Sequence, residues 1–178
     1  MLQLNENLVS FSKAGDDDYP PDSGDLKKLA TLITKFAPHD GRFDLSGYGL
    51  HVVKETKTTA ETIHTMSQPG LCIVAQGAKR ISLVQKSYEY NESRMVVYAA
   101  EIPISASIIK ASKEEPYLCL VVHLDLQKLI DLILKVFPHG VPKTPNTQAI
   151  YVGNSNPKTV AAAIRILDLI LQQEDADL

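Results

Sequence analysis

The sequence predicts a mostly β domain, an antiparallel sandwich or small barrel, with helices before and after it. Between Leu71 and Leu124, short apolar runs rich in β-forming residues alternate with turn-prone clusters, and no helix-length period appears. Strands this short and this regularly spaced are typical of antiparallel sandwiches and small barrels. On either side of the β-rich part, apolar residues recur at helical spacing, so helices are expected to flank it.

The chain begins with an irregular segment, residues 1–24, which we interpret as an N-terminal arm. Its three aspartates, Asp16–Asp18, lack the glycine and distal glutamate of a calcium loop, so they indicate a solvated acidic loop. A helix is predicted over 25–37, because its apolar residues fall on one stripe and Pro38 prevents continuation.

Residues 42–124 are predicted to form the sandwich or barrel. Glycines at positions 47 and 49 indicate a bend in the first β segment. The polar, β-branched stretch 56–65 is either an edge strand or a connecting loop. Gly77 is expected to permit a hairpin backbone that other residues resist, and Gln76 to hydrogen-bond backbone across that turn.

Residues 125–178 are predicted to be a helical C-terminal part. It comprises a helix over 126–137, a connection over 141–151, and a final helix from Pro157 to about Gln173 that follows an asparagine cap. Both helices have broad apolar faces. Any apolar surface left after packing would suit a symmetric dimer contact, whereas the alternative is that both helices only cover the β structure.

Four short elements follow one another through the β-rich part of the chain. They are Val74–Arg80, Tyr88–Tyr90, Glu101–Ile104 and Ala111–Leu118. In this order and at these spacings they resemble the V-x-Q-G-x-K-R, Y-x-Y, D-x-P-V and A-S-x-x-x-P-Y-L patterns of the N-terminal domain of one branch of AraC-type transcription regulators. Glu101 and Ile104 depart mildly from the third pattern. The resemblance covers most of the chain, from roughly Ala30 to the end.

This resemblance implies a more specific fold and a function. The fold would be a cupin-like double-stranded β-barrel, or jelly roll, forming one domain over 25–178 with an N-terminal helix and two or more C-terminal helices. The function would be to bind a small-molecule effector, of unknown identity, and to form a homodimer. In full-length members a helix-turn-helix domain follows; it is absent from this chain, so DNA contact is expected only through that missing domain.

Composition agrees with a role other than direct DNA binding. The formal net charge is -3 and the isoelectric point is about 5.9, whereas a free-standing DNA-binding domain is normally basic. No apolar run approaches the ~18 residues of a transmembrane helix, and no signal peptide pattern begins the chain. We therefore expect a cytoplasmic protein that does not contact a membrane.

Candidate effector-binding residues come from the alternation of side chains along the predicted strands. From Tyr117 to Leu124 one face is purely apolar, whereas the other is mixed, as the wall of a pocket for a small polar molecule would be. The alternative is that these side chains complete the core or face solvent. The predicted ligand-binding residues are Tyr88, Tyr90, Tyr98, Lys110, Tyr117, Cys119 and His123.

Neither a metal or other cofactor nor catalysis is predicted. The H-x-H pair of metal-binding cupins is missing, and although His51, His64 and His123 could assemble in space, scattered histidines are more often not ligands. Cys72 and Cys119 are predicted to be buried free thiols. No nucleophile motif or pair of carboxylates points to an enzyme. A cupin-type metal-dependent enzyme and a ligand-free dimerisation module are the alternative functions.

Overall fold

The computed structural model describes residues 21–45, 47–84, 86–92, 94–141 and 148–176. These residues form three helices and ten strands. The predicted arm over 1–24 therefore lies almost entirely outside the described residues. The helices are α1 (Ser23–Phe36), α2 (Leu126–Val136) and α3 (Pro157–Ala176). The strands are β1 (Gly41–Leu45), β2 (Leu50–Glu55), β3 (Ile63–Ser67), β4 (Gly70–Gln76), β5 (Ala78–Leu83), β6 (Lys86–Asn91), β7 (Arg94–Tyr98), β8 (Ile102–Lys110), β9 (Tyr117–His123) and β10 (Ile150–Asn154).

The strands form two antiparallel sheets. A six-stranded sheet has the order β1-β2-β9-β4-β7-β10, and a four-stranded sheet has the order β3-β8-β5-β6. Among the described residues no ladder joins an edge strand of one sheet to the other sheet, so the barrel predicted over 42–124 is not closed. The chain crosses between the sheets through short turns instead of through continuously paired strands. Of the two architectures that the strand pattern allowed, the antiparallel sandwich is the correct one.

Two hydrophobic clusters hold three layers together. The first cluster packs α1 and α3 against the outer face of the six-stranded sheet, with Leu29, Leu120 and Leu167 fully buried. The second fills the space between the two sheets and includes Ile81 and Val96. Because burying one such aliphatic side chain contributes about 1.5–3 kcal/mol, these two clusters supply most of the driving force for folding.

The helices agree with their sequence signals. Helix α2 ends within one residue of the predicted boundary, and its cap Asp125 accepts backbone hydrogen bonds from Gln127 at 3.0 Å and Lys128 at 3.1 Å. Helix α3 follows the predicted asparagine cap, since Asn156 Oδ1 accepts a hydrogen bond from the backbone N–H of Lys158 at 2.8 Å. Local capping chemistry is therefore sufficient to place these helix starts.

Two strands differ from the sequence-based description. The ambiguous stretch 56–65 leads into the edge strand β3, which pairs with β8. The predicted connection over 141–151 ends in β10, which pairs with β7, so the part 125–178 is not entirely helical. Strand β10 has only five residues, one of them a glycine. A segment this short does not show enough alternation of apolar and polar residues to be recognised as a strand from sequence. Only its pairing with β7 defines it as a strand.

Gly77 carries the chain from β4 in one sheet to β5 in the other. Its φ is +83°, and a Cβ there would lie 2.6 Å from the carbonyl oxygen of Lys110 and 2.9 Å from Cα of Tyr117. The turn is thus a crossing between sheets and not a hairpin within one sheet. Gln76 does bond to backbone, but Nε2 donates to the carbonyl of Pro116 at 2.8 Å, just before β9. Together these contacts fix β4 and β5 relative to β9.

Replacement of Gly77 by alanine tests this close approach. The left-handed backbone alone should cost about 1–2 kcal/mol, and the clash with the neighbouring backbone about 1–3 kcal/mol more. Gly47→Ala is a matched control, because Gly47 has the same φ of +83° and nothing within 4 Å of its Cβ position. Urea unfolding should show a larger loss of the free energy of unfolding for Gly77→Ala. Equal losses would mean that only backbone conformation matters at both positions.

Candidate functional site

A cavity of about 350 Å³ lies between the two sheets. Strand β9 forms its central wall because its side chains alternate between the two faces of the six-stranded sheet. Leu118 and Leu120 belong to the helix-facing cluster, whereas Tyr117 and Cys119 belong to the cluster between the sheets, and His123 lines the same cavity. The alternation predicted for this strand therefore describes the two faces correctly.

Five of the seven predicted ligand-binding residues meet at this cavity. Tyr98, Tyr117, Cys119 and His123 come from the six-stranded sheet, and Tyr90 comes from the opposite sheet. The other two lie elsewhere.

Tyr88 and Lys110 do not line the cavity. Tyr88 is buried in the cluster between the sheets. Lys110 is exposed at the end of β8, and its Nζ lies 3.7 Å from Glu92 Oε1. Strand β8 runs past the cavity, and the register of its pairing with β5 shifts between Ala78 and Lys79. Alternation along β8 therefore does not place the side chain of Lys110 in the cavity.

The tyrosines provide neutral hydrogen-bonding groups in a wall that mixes polar and apolar side chains. Tyr90, Tyr98 and Tyr117 are each at most 5% exposed. Burial raises the pKa of each of the three phenols above its ordinary value. Their hydroxyls therefore stay protonated near neutral pH and are able to donate as well as accept hydrogen bonds.

The two cysteines lie side by side in the same wall. Cys72 on β4 and Cys119 on β9 are both buried and unoxidised, as the sequence predicted. A hydrogen bond with Cys119, together with burial, holds the pKa of Cys72 well above its ordinary value. This thiol is therefore uncharged and acts as a small, polarisable part of the wall.

The charged lining residues were not predicted. Arg42 on β1 and Lys79 on β5 reach the cavity, and no carboxylate is among its described lining residues. Lys79 lies opposite Tyr90 in the β5–β6 ladder, so it shares a face of the sheet with that tyrosine. The alternation that selected Tyr90 would have selected Lys79 too, had the pairing of the two strands been known.

Two histidines meet at one end of the cavity. Nδ1 of His51 and Nε2 of His123 are 2.9 Å apart, so one ring nitrogen donates a hydrogen bond to the other. The third histidine of the arrangement considered from the sequence, His64, lies instead on the edge strand β3, where Nδ1 pairs with Ser105 Oγ at 2.9 Å. Asp44 takes its place beside the pair, and the three side chains place one ligand atom each within 4.8 Å of the others.

The environment of the histidine pair disfavours positive charge on His51. Burial is the main cause, and the charges of Arg42 and His123 add to it; together they lower the pKa of His51 to about 4. The Arg42 guanidinium, which donates to Asp44 Oδ1 at 2.7 Å, holds the pKa of that carboxyl below its usual range. At neutral pH His51 is a neutral imidazole beside an ionised carboxylate.

Fold and site define a β-sandwich domain with covering helices and a polar-lined internal cavity, an arrangement suited to binding a small molecule. Residues 48–178, more than half of the chain, match the family described as AraC-type transcriptional regulator N-terminus. The chain therefore belongs to this family of N-terminal regulatory domains. The resemblance noted in the sequence is confirmed.

Solved structures of ToxT from Vibrio cholerae are similar to this chain at low identity. Apo ToxT with a lysine-to-alanine substitution is 11% identical, with a TM-score of 0.44 over 66% of this chain and 47% of that chain. ToxT bound to (E)-4-(8-methylnaphthalen-1-yl)but-3-enoic acid is 12% identical, with a TM-score of 0.42 and the same coverage, 66% and 47%. Unsaturated fatty acid-bound wild-type ToxT is 9% identical, with a TM-score of 0.39 over 66% and 46%.

The chain spans about half the length of these solved structures. No curated protein sequence matches it significantly. Of the helices in the part of the chain that the structure describes, none has the length and apolar character needed to span a membrane.

The environment of His51 predicts a pH dependence of stability. Because its folded pKa of about 4 lies below the ordinary 6.5, the unfolded chain binds a proton first as the pH falls. The contribution of neutral His51 to the free energy of unfolding is therefore complete above pH 6.5, and it is lost progressively as the pH falls toward about 4. With allowance for solvent screening at the cavity mouth, we expect a loss of about 2 kcal/mol from this residue.

The measurement is urea unfolding of wild type and His51→Gln across this pH range, with EDTA present so that no metal ion contributes. Glutamine keeps hydrogen-bonding capacity but does not titrate. The free energy of unfolding of His51→Gln should therefore fall less steeply than that of the wild type between pH 6.5 and about pH 4. Parallel curves for the two proteins would show that His51 titrates normally in the folded state.

Proposed function

We propose that the cavity between the two sheets binds a small-molecule effector, and that binding controls a DNA-binding domain located elsewhere in the full-length protein. One observation supports this most directly: a cavity of about 350 Å³ is lined by apolar side chains together with polar and cationic groups that converge on it. Natural ligand sites have this size and this mixture of surfaces. The formal net charge of -3 does not favour contact with phosphates, so we assign DNA contact to the other domain, in the cytoplasm.

The charges of the cavity favour an anionic effector. Lys79 and Arg42 are the charged lining residues, with no carboxylate among the described residues that line the cavity. Arg42 is already paired with Asp44, whereas no ion pair of Lys79 is found among the described residues. The neutral hydroxyls of Tyr90, Tyr98 and Tyr117 are able to donate to the same anion. A small organic carboxylate with an apolar body would satisfy both the ammonium group and the apolar wall.

Strand β9 connects the cavity to α2. His123 is its last residue and lines the cavity, and it also lines an adjacent groove with Leu129 and Leu132 of α2. Only Leu124 separates His123 from Asp125, the residue that caps α2. A ligand that moves His123 would therefore shift the start of α2 directly, which provides a physical route from effector to helix position.

Helix α2 has the surface expected of a dimer contact. It has no buried residue, and its apolar side chains form one continuous face opposite Gln127, Lys128, Asp131 and Lys135. Ile130 is 49% exposed and Leu134 is 64% exposed. A continuous apolar face of this extent favours association, and two copies meeting across a twofold axis would each cover the other's face.

The anionic effector is tested with defined probes. Hexanoate, decanoate and benzoate, each compared with its amide, should raise the melting temperature of this chain when they bind the native state. Lys79→Gln should lose a charge-assisted hydrogen bond of about 1.5–3 kcal/mol, or roughly 10–100-fold in Kd by titration calorimetry. Lys86→Gln is the matched control, because Lys86 is exposed and lies outside the cavity.

Equal stabilisation by the amides, or an unchanged Kd in Lys79→Gln, would contradict an anionic effector. If no probe stabilises the protein and the variants behave alike, a ligand-free dimerisation module becomes the better function. Turnover of a bound probe would instead favour the enzyme alternative.

The dimer is tested by a charge on the apolar face of α2. Leu134→Glu should convert the dimer to a monomer, because a buried unpaired carboxylate at an interface costs several kcal/mol. Gln127→Glu places the same charge on the polar face of the same helix and should leave the dimer intact. Sedimentation equilibrium at several concentrations gives the dissociation constants. A wild-type monomer, or equal weakening by both variants, would exclude α2 as the contact.

A further inference from the structure

We propose that Asp44, His51 and His123 form a binding site for a divalent transition-metal ion at the histidine end of the cavity. Each residue offers one ligand atom, and the three atoms lie within 4.8 Å of one another. The site is distinct from the effector contacts at Lys79 and the tyrosines. It goes beyond the proposed function, because a metal ion would either add a structural element to the domain or be a second signal that it detects.

The backbone brings the three residues together on adjacent strands. In the β1–β2 ladder Asp44 lies directly opposite His51. In the β2–β9 ladder His51 lies opposite Val121, which places His123, two residues further along, on the same face. The N–H of His123 also donates to the carbonyl of Gly49 at 2.8 Å, which fixes the end of β9 against the turn before β2. The ligands are thus held by paired strands and not by a loop.

The distance between the two histidine nitrogens fits a single ion with a small adjustment, whereas the Asp44 carboxylate must approach by up to about 1.5 Å, given the 4.8 Å span of the cluster. A metal–nitrogen bond of about 2.0–2.1 Å in a tetrahedral site places two ligand nitrogens roughly 3.3 Å apart. Nδ1 of His51 and Nε2 of His123 are 2.9 Å apart, so the rings need to separate by only a few tenths of an ångström. Both hydrogen bonds from Arg42 end on Oδ1 of Asp44. Oδ2 is therefore the oxygen that would bind the ion.

The proton of the histidine pair must move when a metal binds. In the hydrogen-bonded pair, either Nδ1 of His51 or Nε2 of His123 carries a proton. Both nitrogens need a free lone pair to ligate, so that proton shifts to the other nitrogen of the same ring. This is a change of tautomer between two neutral imidazoles, with no net charge to bury. The ion replaces the shared proton as the bridge between the rings.

The donor set selects the class of metal. Imidazole nitrogens suit zinc, copper, iron and nickel, whereas calcium and magnesium prefer all-oxygen sites. Three protein ligands leave a coordination position open. The cavity lies beside that position, so water or an anionic group of a bound molecule would complete the coordination. Arg42 opposes the cation but neutralises only one oxygen of Asp44, so the site should favour ions that bind nitrogen strongly, such as Zn²⁺.

The experiment is titration calorimetry of Zn²⁺ into EDTA-treated and dialysed protein, with Mg²⁺ as the comparison ion. We expect one Zn²⁺ per chain and no Mg²⁺. Mutating a residue that only hydrogen-bonds a metal ligand lowers metal affinity about 10–100-fold. Because the two histidines are ligands themselves, His51→Ala and His123→Ala should each lower the Zn²⁺ affinity by about 100-fold or more. Asp44→Asn keeps a side-chain oxygen and should lower the affinity by about 10-fold. His64→Ala removes a histidine outside the cluster and should bind as wild type does.

Circular dichroism of each variant separates loss of the site from loss of the fold, and Asp44→Asn, at an exposed position, is the variant least able to disturb folding. Co²⁺ substitution gives an independent readout, because a thiolate-to-cobalt charge-transfer band would place the metal on Cys72 and Cys119. That band, weaker binding in His64→Ala than in His51→Ala, or absence of stoichiometric Zn²⁺ would each overturn the proposal. None of these results bears on the Lys79→Gln comparison, so the metal site and the effector site fail separately.

Discussion

The pairing of β9 with β2 on one side and β4 on the other is the constraint on which the rest of the structure depends. With β9 held in register between two strands, every second side chain must face the helices and the others must face the second sheet. A slip of one residue would exchange Leu118 and Leu120 for Tyr117 and Cys119, and so place polar groups under α1 and α3. The same register therefore produces both the helix-facing core and the wall of the cavity.

The sequence predicts the features of the fold that depend on neighbouring residues. The alternation along β9, the asparagine cap before α3 and the amphipathic stripe of α2 are all local signals, and each describes its element correctly. Sheet closure and strand partnership are not local. Strand β10 is defined only by β7, which lies far from it in sequence, and whether a sandwich closes depends on edge strands that no short pattern describes. The closed barrel was wrong for this reason.

The candidate site shows the same division between local and non-local information. The tyrosines and Cys119 follow from alternation within single strands. The cluster of Asp44, His51 and His123 does not, because the two histidines are 72 positions apart and residue type alone favoured His64 equally well. Only the assignment of strands to sheets separates His64, which lies on the edge of the smaller sheet. The two lysines show the same division. A register shift in β8 ends the alternation that selected Lys110, and the pairing of β5 with β6 places Lys79 on the face of Tyr90.

The two faces of the six-stranded sheet differ in their content of polar side chains. The face under α1 and α3 is packed mainly by apolar side chains, and that packing holds the helices on the sheet. The opposite face contains two histidines, a cationic side chain and several hydroxyls, although burying polar groups lowers stability unless they find partners. Ligand recognition, as proposed above, would give these polar groups a role that packing alone does not. His123 belongs to this polar face and lies two residues before Asp125, the cap of α2. Occupation of the cavity would therefore have a short mechanical connection to the one helix whose apolar face is uncovered within the described residues. In the proposed function, the inner face of the sheet would bind the effector and the helix that follows β9 would transmit the change.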